Sequence, residues 1–314
     1  MKPFLVVNPR SANGATGRHF DSIAQAVRSS VGDCPHAFTE RPMHAAEVTR
    51  DALVGGHDLV IAVGGDGTIN EVVNGFFKAP LLGGAPEPIH PGASLGIVPR
   101  GTGGDLRRTV GLDGDLGRSA ARLKGEKRRI DVGRVDFTKD DGSQGSRLFV
   151  NVAEVGVGAK VVEIVNSSSK VLGGKLTFMA ASLRALVGWK DLSVRASLDG
   201  GAHEDFEVTT FAIANGRFFG GGMMIAPGAD LHDGLFHLTL WSGFTLTDFL
   251  LKSGTMYDGS HLKLKNTRTR SARTVQLEPG PNARGPIAVE VDGELIGRLP
   301  ATFSVLPGAL SLVS

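Results

Sequence analysis

Apolar runs alternate with helical patterns over the first 130 or so residues. The runs "FLVV", "DLVIAV" and "SLGIV" are almost uninterrupted, as in strands buried on both faces of a sheet. Between them, stretches such as "MHAAEVTRDAL" and "TINEVVNGFF" place apolar residues at helical spacing. Strands that alternate with helices predict a parallel sheet covered on both faces. We therefore expect an α/β domain over residues 1–130.

The pattern changes after Arg129. Short stretches such as "SRLFVNVAEVG", "LSVRASLDG" and "IAVEVDGEL" alternate apolar and polar residues and are separated by turn residues. This spacing predicts an antiparallel sandwich or barrel over residues 131–314. Two helical insertions are predicted within it, at residues 175–187 and 247–257.

Composition narrows the class of protein. Thirty-four Lys and Arg against 32 Asp and Glu leave a net charge of +2, too small for bulk binding of nucleic acid. The single cysteine, Cys34, excludes an intrachain disulfide framework and a cysteine-rich metal site. No stretch reaches the roughly 18 apolar residues of a spanning helix, and the first apolar run is too short for a signal peptide. We expect a cytoplasmic protein without a transmembrane segment.

Three glycine-rich turns follow strands of the first domain: "NPRSANG", "GGDGT" and "PRGTGGD". The carboxyl ends of parallel strands are where ligands bind, and residues without a Cβ let a phosphate approach main-chain N–H groups. A carboxylate at such a site, Asp66, repels phosphate unless it acts through Mg²⁺, through water or as a base. The alternative is that Asp66 only caps the helix that follows.

These turns belong to a longer series of motifs that resembles the diacylglycerol kinase catalytic domain family, which includes bacterial lipid kinases, sphingosine kinases and ceramide kinases. The resemblance covers nearly the whole chain, in the family's order, through "VNPRSANG", "GGDGTINEVVNG", "GIVPRGTGGDLRRTV", "NVAEVGVGAKVV", "IANGRFFGGGMMIAPGADLHDGLFHLTL" and "VEVDGELIGRLPATFSVLPGALSLV". It implies a NAD kinase-like α/β nucleotide-binding domain, followed by an antiparallel β-sandwich domain that binds the lipid and a metal. ATP and Mg²⁺ are the implied co-substrate and cofactor.

The resemblance also implies a set of nucleotide-binding residues in the glycine-rich turns and beside them. In this chain they are Asn8, Pro9, Arg10, Ser11, Ala12, Thr39, Gly65, Asp66, Gly67, Thr68, Ile69, Asn70, Glu71, Thr102 and Asp105. The family usually has Asn-Asp in the third turn, where this chain has Gly104 and Asp105. The missing amide removes one expected hydrogen bond.

Two further motifs resemble a metal loop and a catalytic tip. In "PGADLHDGLFHLTL", Asp233 would supply a carboxylate to Mg²⁺, with main-chain oxygens from around Asp230 and Leu235; the alternative is an ordinary Asp-Gly turn. In "VEVDGELIGRLP", the family's general base would be Asp292 or Glu294; the alternative is a plain hairpin. The candidate catalytic residues are thus Glu294, Asp292 and Asp66.

The function implied by the resemblance is an ATP-dependent lipid kinase, which transfers the γ-phosphate to a hydroxyl of diacylglycerol, ceramide or a sphingoid base. The enzyme would attach peripherally to a membrane surface, and an exposed edge strand would let two chains pair as a homodimer. The apolar stretch "LTFMAASLRALVG" would line an acyl-chain groove, lie on the membrane or belong to the core. A NAD kinase-like enzyme, which shares the "GGDGT" turn, and an inactive nucleotide-binding regulator are the alternatives.

Overall fold

The computed structural model describes residues 1–79, 84–167 and 174–313. The strands within them are β1 (Pro3–Val7), β2 (His36–Phe38), β3 (Leu59–Gly64), β4 (Ser94–Pro99), β5 (Lys127–Thr138), β6 (Gln144–Phe149), β7 (Val152–Gly156), β8 (Leu192–Leu198), β9 (Glu204–Val208), β10 (Thr210–Ala214), β11 (Phe236–Trp241), β12 (Thr267–Ala272), β13 (Thr274–Pro279), β14 (Ala288–Val291) and β15 (Glu294–Val313). The helices are α1 (Ala15–Arg18), α2 (Phe20–Val31), α3 (His44–Val54), α4 (Asp66–Gly75), α5 (Asp105–Thr109), α6 (Leu116–Arg122), α7 (Val157–Ser167), α8 (Gly174–Leu186), α9 (Leu246–Lys252) and α10 (Thr255–Asp258), with a 3₁₀ turn at Ser260–Lys263.

The first four strands form a parallel sheet in the order β2-β1-β3-β4. The apolar runs predicted as strands are buried on both faces, and every residue of β3 and β4 is buried. Helices cover the sheet, since side chains of α2 pack on β1 and β3 and side chains of α3 and α4 pack with β3 and β4. The predicted α/β domain is confirmed.

The later strands form two antiparallel layers, a sandwich rather than a barrel. One layer runs β12-β11-β10-β7-β14-β15, and the other runs β6-β5-β15-β13-β8-β9. Large side chains from both layers, among them Phe149, Phe211, Phe236 and Phe303, are fully buried between them. The predicted sandwich is confirmed. Among the described strands, β2, β6, β9 and β12 each pair with only one other strand and form edges, and pairing of two chains through such an edge stays a prediction.

Two strands run from the sandwich into the α/β region. β15 pairs with β14 and β5 in the sandwich and then lies parallel to β4, with Ser311 opposite Ser94. β5 crosses residue 130, where the sequence predicts the domain boundary, so that boundary stays a prediction. Because these strands are continuous, the glycine-rich turns are held in a defined position against the sandwich.

Helices α7, α8 and α9 lie on the outer face of the layer that contains β7 and β10. Val152 and Ala212 of that face pack with Leu186 of α8 and Phe249 of α9. The predicted insertions at residues 175–187 and 247–257 correspond to α8 and to α9 with α10, whereas α7 has no counterpart in the sequence prediction. Among the described residues, none of the helices has the length and apolar character needed to cross a bilayer.

Candidate active site

The glycine-rich turns after β3 and β4 pack backbone against backbone. A Cβ atom built on Gly101 would lie 2.5 Å from the Cα of Gly65, closer than two such atoms can approach. The Arg100 N–H donates to the Gly64 carbonyl at 2.7 Å and ties the two turns together. Glycine is therefore required at residue 101 because no side chain fits between the turns.

Asp66 lies at this junction, and its carboxylate caps α5. Its Oδ2 accepts hydrogen bonds from the N–H groups of Gly104 at 2.8 Å and Asp105 at 3.2 Å, and its Oδ1 accepts one from Leu106 at 3.2 Å. A carboxylate satisfies the free N–H groups of a helix N-terminus and complements its dipole. Asp66 thus caps the helix of the next turn, whereas the alternative interpretation of the sequence placed the cap on its own helix.

Gly104 stands at the position where the family usually has Asn. Its φ of +67° and ψ of 41° place it in the left-handed region, which Gly and Asn adopt more readily than other residues. Gly104 thus has a backbone conformation that Asn also tolerates, but it offers no side-chain amide.

Asp105 is buried between the turns and the second half of the chain. Its Oδ2 accepts a hydrogen bond from the Gly221 N–H at 2.9 Å, and Arg108 Nη1 lies 3.2 Å from its Oδ1. Burial, followed by the nearby charge of Asp66, raises the pKa of Asp105 to about 6. Two neighbouring carboxylates that repel each other form a place where a cation is stabilised.

The first turn is organised around Asn8. Its Nδ2 donates to Thr68 Oγ1 at 3.0 Å, and its Oδ1 accepts from the Arg10 N–H at 3.0 Å. Ser11 Oγ donates to the Asn8 carbonyl, and Ala12 has a positive φ of 50°. The structure therefore brings the predicted residues of the first turn, including Pro9, next to the start of α4.

Three other predicted nucleotide residues have partners within the protein. Ile69 is 1% exposed and belongs to the core. Glu71 Oε2 accepts from the Ala45 N–H at 3.1 Å near the start of α3, and the Thr39 N–H donates to the Val7 carbonyl at 2.8 Å after β2. The Ile69 N–H also donates within the protein, to the Gly65 carbonyl at 3.1 Å.

Asp292 lies at the tip between β14 and β15, where it is half-buried. Its Oδ1 accepts from the N–H groups of Asn151 at 3.1 Å and Val152 at 3.0 Å. Its Oδ2 accepts from the Val150 N–H at 3.0 Å and from Asn70 Nδ2 at 2.9 Å. Burial raises the pKa of Asp292, and these four donors oppose that rise. The carboxylate fastens the tip to α4 and to the start of β7.

Glu294 is the more accessible carboxylate of the tip. Its Oε2 lies 2.7 Å from Arg147 Nη2, and its Oε1 would lie 3.2 Å from a Cβ built on Gly67. Burial raises the pKa of Glu294, while the charge of Arg147 lowers it. The "GGDGT" turn and the catalytic tip, more than 200 residues apart in the chain, are therefore in contact.

A cavity of about 250 Å³ opens between the glycine-rich turns and the sandwich. Asp66, Thr102 and Asp105 line its side toward the turns, and the tip contributes Asp292 and Gly293. Its other walls include Phe178 of α8 and Phe219, which also line a neighbouring apolar pocket among α7, α8 and α9. Glu294 does not line this cavity; it lies on a separate groove with Arg147 and Met43.

The predicted metal loop is closed by hydrogen bonds of the protein. Asp233 Oδ1 accepts from the Leu235 N–H at 2.9 Å, and its Oδ2 lies 2.8 Å from His237 Nε2. Asp230 Oδ1 accepts from the His232 N–H. No group of three or more acidic, histidine or cysteine side chains suited to a metal occurs among the described residues. Asp233 Oδ2 could therefore bind Mg²⁺ only if His237 moved away from it. Magnesium at Asp233 stays a prediction.

Sequence reasoning missed three charged residues of the site: Arg147, Glu154 and Glu290. Arg147 pairs with Glu294, and both glutamates line the cavity. The available signal was a charged residue inside an otherwise apolar strand, as in "NVAEVG" and "IAVEVDG".

Comparison with known proteins agrees with this geometry. Residues 2–135 match the family model described as the diacylglycerol kinase catalytic domain, and residues 151–314 match the YegS C-terminal NAD kinase beta sandwich-like domain. A protein of Mycobacterium tuberculosis H37Rv named diacylglycerol kinase is 29% identical, over 99% of this chain and 94% of the relative. One of Bacillus subtilis with the same name is 26% identical, over 95% and 91%.

Solved structures show the same fold. A putative diacylglycerol kinase from Bacillus anthracis superposes with a TM-score of 0.74 at 22% identity, covering 99% of this chain and 96% of the other. Yeast NADH kinase gives a TM-score of 0.53 at 12% identity, covering 99% and 82%. The motifs, the two matched domains and the shared fold together show that the chain belongs to the diacylglycerol kinase catalytic domain family.

Proposed function

We propose that the protein is an ATP-dependent lipid kinase that transfers the γ-phosphate of ATP to a lipid hydroxyl. The observation that carries the proposal is the cavity, because it joins carboxylate-bearing glycine turns on one side to an apolar pocket on the other. A phosphate-binding edge next to an apolar pocket suits an acceptor with a polar head and a hydrocarbon chain. The names of the relatives, diacylglycerol kinase, agree with such an acceptor.

The nucleotide would lie on the turns that begin at Asn8, Gly65 and Thr102. Exposed main-chain N–H groups of such turns cradle phosphate oxygens. Asp66 and Asp105 are the residues that would hold a nucleotide-bound Mg²⁺, since their mutual repulsion is relieved by a cation. That ion would neutralise negative charge on the phosphates during transfer.

Glu294 is the tip carboxylate that acts as general base in this proposal; because it lies on the groove beside the cavity, the acceptor hydroxyl would reach it past Asp292 and Gly293, which line the cavity. A carboxylate has about four lone-pair sites, and those of Asp292 are filled by its four hydrogen bonds. Glu294 Oε1 has no hydrogen-bond partner among the described residues and lies against Gly67. Asp292 is then a positioning residue, which holds the tip so that Glu294 meets the glycine turn.

The outer surface beside the apolar pocket would contact a membrane. Leu186 and Phe249 line the pocket, while their neighbours Val187, Leu250 and Leu251 are 68%, 62% and 79% exposed. Exposed leucines over a lipid-binding pocket suit a peripheral membrane protein, which inserts a few apolar side chains at the headgroup level.

The test is transfer of radiolabelled γ-phosphate from ATP with Mg²⁺ to lipids in mixed micelles, with NAD assayed in parallel. Diacylglycerol, ceramide and sphinganine serve as acceptors, and Glu294→Gln is the inactive control. A labelled lipid supports the proposal. Label on NAD alone would overturn it in favour of a NAD kinase-like enzyme, and nucleotide binding without any product would favour the inactive regulator.

A further inference from the structure

Glu154 and Glu290 face each other directly across two neighbouring strands. β7 and β14 are antiparallel, and Glu154 is the register partner of Glu290. Their neighbours Ala153, Val155, Val289 and Val291 point into the sandwich core, so the two glutamates point to the opposite face, toward α7 and α8. Like charges directly opposite in a sheet are destabilising, and this pair is therefore stabilised by a bound proton or by a cation.

The pair is buried yet open to the cavity. Glu154 is 1% exposed and Glu290 is 6% exposed, and both line the cavity of about 250 Å³. One oxygen of each carboxyl is occupied: Glu154 Oε1 accepts from the Gly158 N–H at 2.9 Å and from Thr210 Oγ1 at 3.1 Å, and Glu290 Oε1 accepts from the Gly293 N–H. The Oε2 atom of each has no hydrogen-bond partner among the described residues.

The described lining of the cavity offers the pair no positive charge. The described residues that line the cavity include no Lys, Arg or His. Burial raises the pKa of Glu154 to about 7, and burial together with the charge of Glu154 raises the pKa of Glu290 well above its usual range. At neutral pH the pair therefore carries at most about one negative charge, and no Lys, Arg or His among the described lining residues balances it.

The pair lies where an acceptor's head would meet its chain. Glu154 lines both the cavity next to Asp66 and Asp105 and the neighbouring apolar pocket. A group of the acceptor that reaches Glu154 would therefore lie between the carboxylates of the glycine-rich turns and the apolar pocket. Diacylglycerol offers only ester oxygens there, because its single hydroxyl is used in the transfer; these can accept from a protonated carboxyl but bring no positive charge to balance an ionised one. An ammonium offers three donors and a positive charge.

We propose that Glu154 and Glu290 bind the ammonium group of the lipid acceptor, so that the preferred substrate is a lipid amino alcohol rather than diacylglycerol. This inference rests on the proposed lipid kinase function and names the substrate class of the same site. The ammonium balances the negative charge of the pair, and its N–H groups donate hydrogen bonds to the Oε2 atoms of Glu154 and Glu290.

The experiment compares kcat/KM for sphinganine, ceramide and dioleoylglycerol in the same mixed micelles. Ceramide keeps the hydroxyl and the hydrocarbon chain but replaces the ammonium by a neutral amide. We measure the parent, Glu154→Gln and Glu290→Gln, with Glu204→Gln on the exposed edge strand as the matched control. Melting temperature and circular dichroism show that each variant is folded.

We expect the parent to prefer sphinganine to both neutral lipids by about tenfold or more, the effect of one charge-assisted hydrogen bond. Glu154→Gln should reduce the ratio of kcat/KM for sphinganine to that for dioleoylglycerol by a similar factor, and Glu204→Gln should leave it unchanged. A parent that prefers dioleoylglycerol, or folded Gln variants that lose activity equally on all three lipids, would overturn this inference alone. Absence of transfer to every lipid would overturn the proposed function and this inference with it.

Discussion

Arg147 and Glu294 form an ion pair, with 2.7 Å between Arg147 Nη2 and Glu294 Oε2, beside the "GGDGT" turn. The Arg147 side chain is 12% exposed, and its Nε donates to Asn70 Oδ1 at 3.1 Å, so its position is fixed from α4. Burial alone would favour a protonated Glu294. The charge of the guanidinium lowers the pKa of Glu294 and so opposes the effect of burial on the candidate base.

Replacement of Arg147 by methionine should raise the pKa of Glu294, because the stabilising charge is lost and burial remains. The ionised base then forms only at higher pH, so the acid limb of the kcat/KM profile should move to higher pH. Below the raised pKa, kcat/KM should fall about tenfold for each further decrease of one pH unit. Arg147→Lys should move the limb less. Arg195→Met, which breaks the exposed pair with Asp205, is the control. An unchanged acid limb in Arg147→Met would exclude Glu294 as the base.

Asp66→Ala should combine a small loss of stability with a large loss of activity. The three N–H groups of α5 lose their acceptor, and loss of a helix cap costs about 0.5–2 kcal/mol. Turnover should fall about 10²-fold or more, as when a charge-stabilising group is removed from an active site. Asp115→Ala, which removes the cap of α6 at Arg118, should lower the melting temperature similarly without loss of turnover. Equal turnover in both variants would reduce Asp66 to a structural cap.

Gly101→Ala tests the contact between the two glycine turns. The added Cβ would overlap the Gly65 backbone, which cannot rotate away as a side chain can. We expect a destabilisation of about 1–3 kcal/mol, typical of overpacking, together with weaker ATP binding by calorimetry. Gly254→Ala enters open space at a helical φ of −56° and should be neutral or stabilising. If Gly101→Ala behaved like Gly254→Ala, the turns would not need this close approach.

The fold could be predicted from the sequence because the hydrophobic patterns that indicate strands and helices are local. An uninterrupted apolar run such as that of β3 indicates a strand buried on both faces. The alternation of residue types in β7 and β14 indicates strands of a sandwich. The position of the glycine turns at the carboxyl edge follows from the same argument. The cap that Asp66 forms on α5 could not be predicted from the sequence. This contact depends on how the turns after β3 and β4 approach each other.

The glutamate pair shows the same limit more sharply. Glu154 and Glu290 each stand out as a charge in an apolar strand, so their burial is readable from the sequence. Their pairing requires the register of β7 with β14, strands separated by more than 130 residues. No local pattern encodes a long-range register, and the carboxyl pair becomes visible only in three dimensions.

His237→Ala tests for a metal at Asp233. In the parent, His237 Nε2 lies 2.8 Å from Asp233 Oδ2. Asp233 would have to lose this contact in order to bind Mg²⁺ through Oδ2. Removal of the imidazole should therefore strengthen Mg²⁺ binding, and the melting temperature of His237→Ala should rise more with MgCl₂ than that of the parent. At about tenfold excess over the dissociation constant, the gain is about 1.4 kcal/mol. EDTA should reverse the rise, and Asp233→Asn should abolish it. Melting that is independent of Mg²⁺ in both proteins would exclude the metal.

Glu154→Gln should stabilise the folded protein above neutral pH and have less effect in acid. The pKa of Glu154 rises on folding from 4.5 to about 7, so the folded state binds the proton more tightly than the unfolded state. That contribution to stability is fully present below pH 4.5 and is lost as the pH rises through 7. Glutamine does not titrate. The melting temperature of Glu154→Gln minus that of the parent should therefore increase between pH 5 and pH 8.

The size of the effect is limited by the neighbours of Glu154. A change of one pKa unit corresponds to about 1.4 kcal/mol. The gain in the free energy of unfolding of Glu154→Gln relative to the parent should therefore not exceed about 3 kcal/mol. Glu290 of β14 faces Glu154 and adds repulsion, while Thr210 of β10 and the Gly158 N–H of α7 stabilise the charged form. Calorimetric melting at pH 5, 6, 7 and 8, with Glu204→Gln as the exposed control, measures the difference. A difference that stays constant over this range would mean that Glu154 does not change its protonation on folding, and that its charge is balanced by a group other than the acceptor.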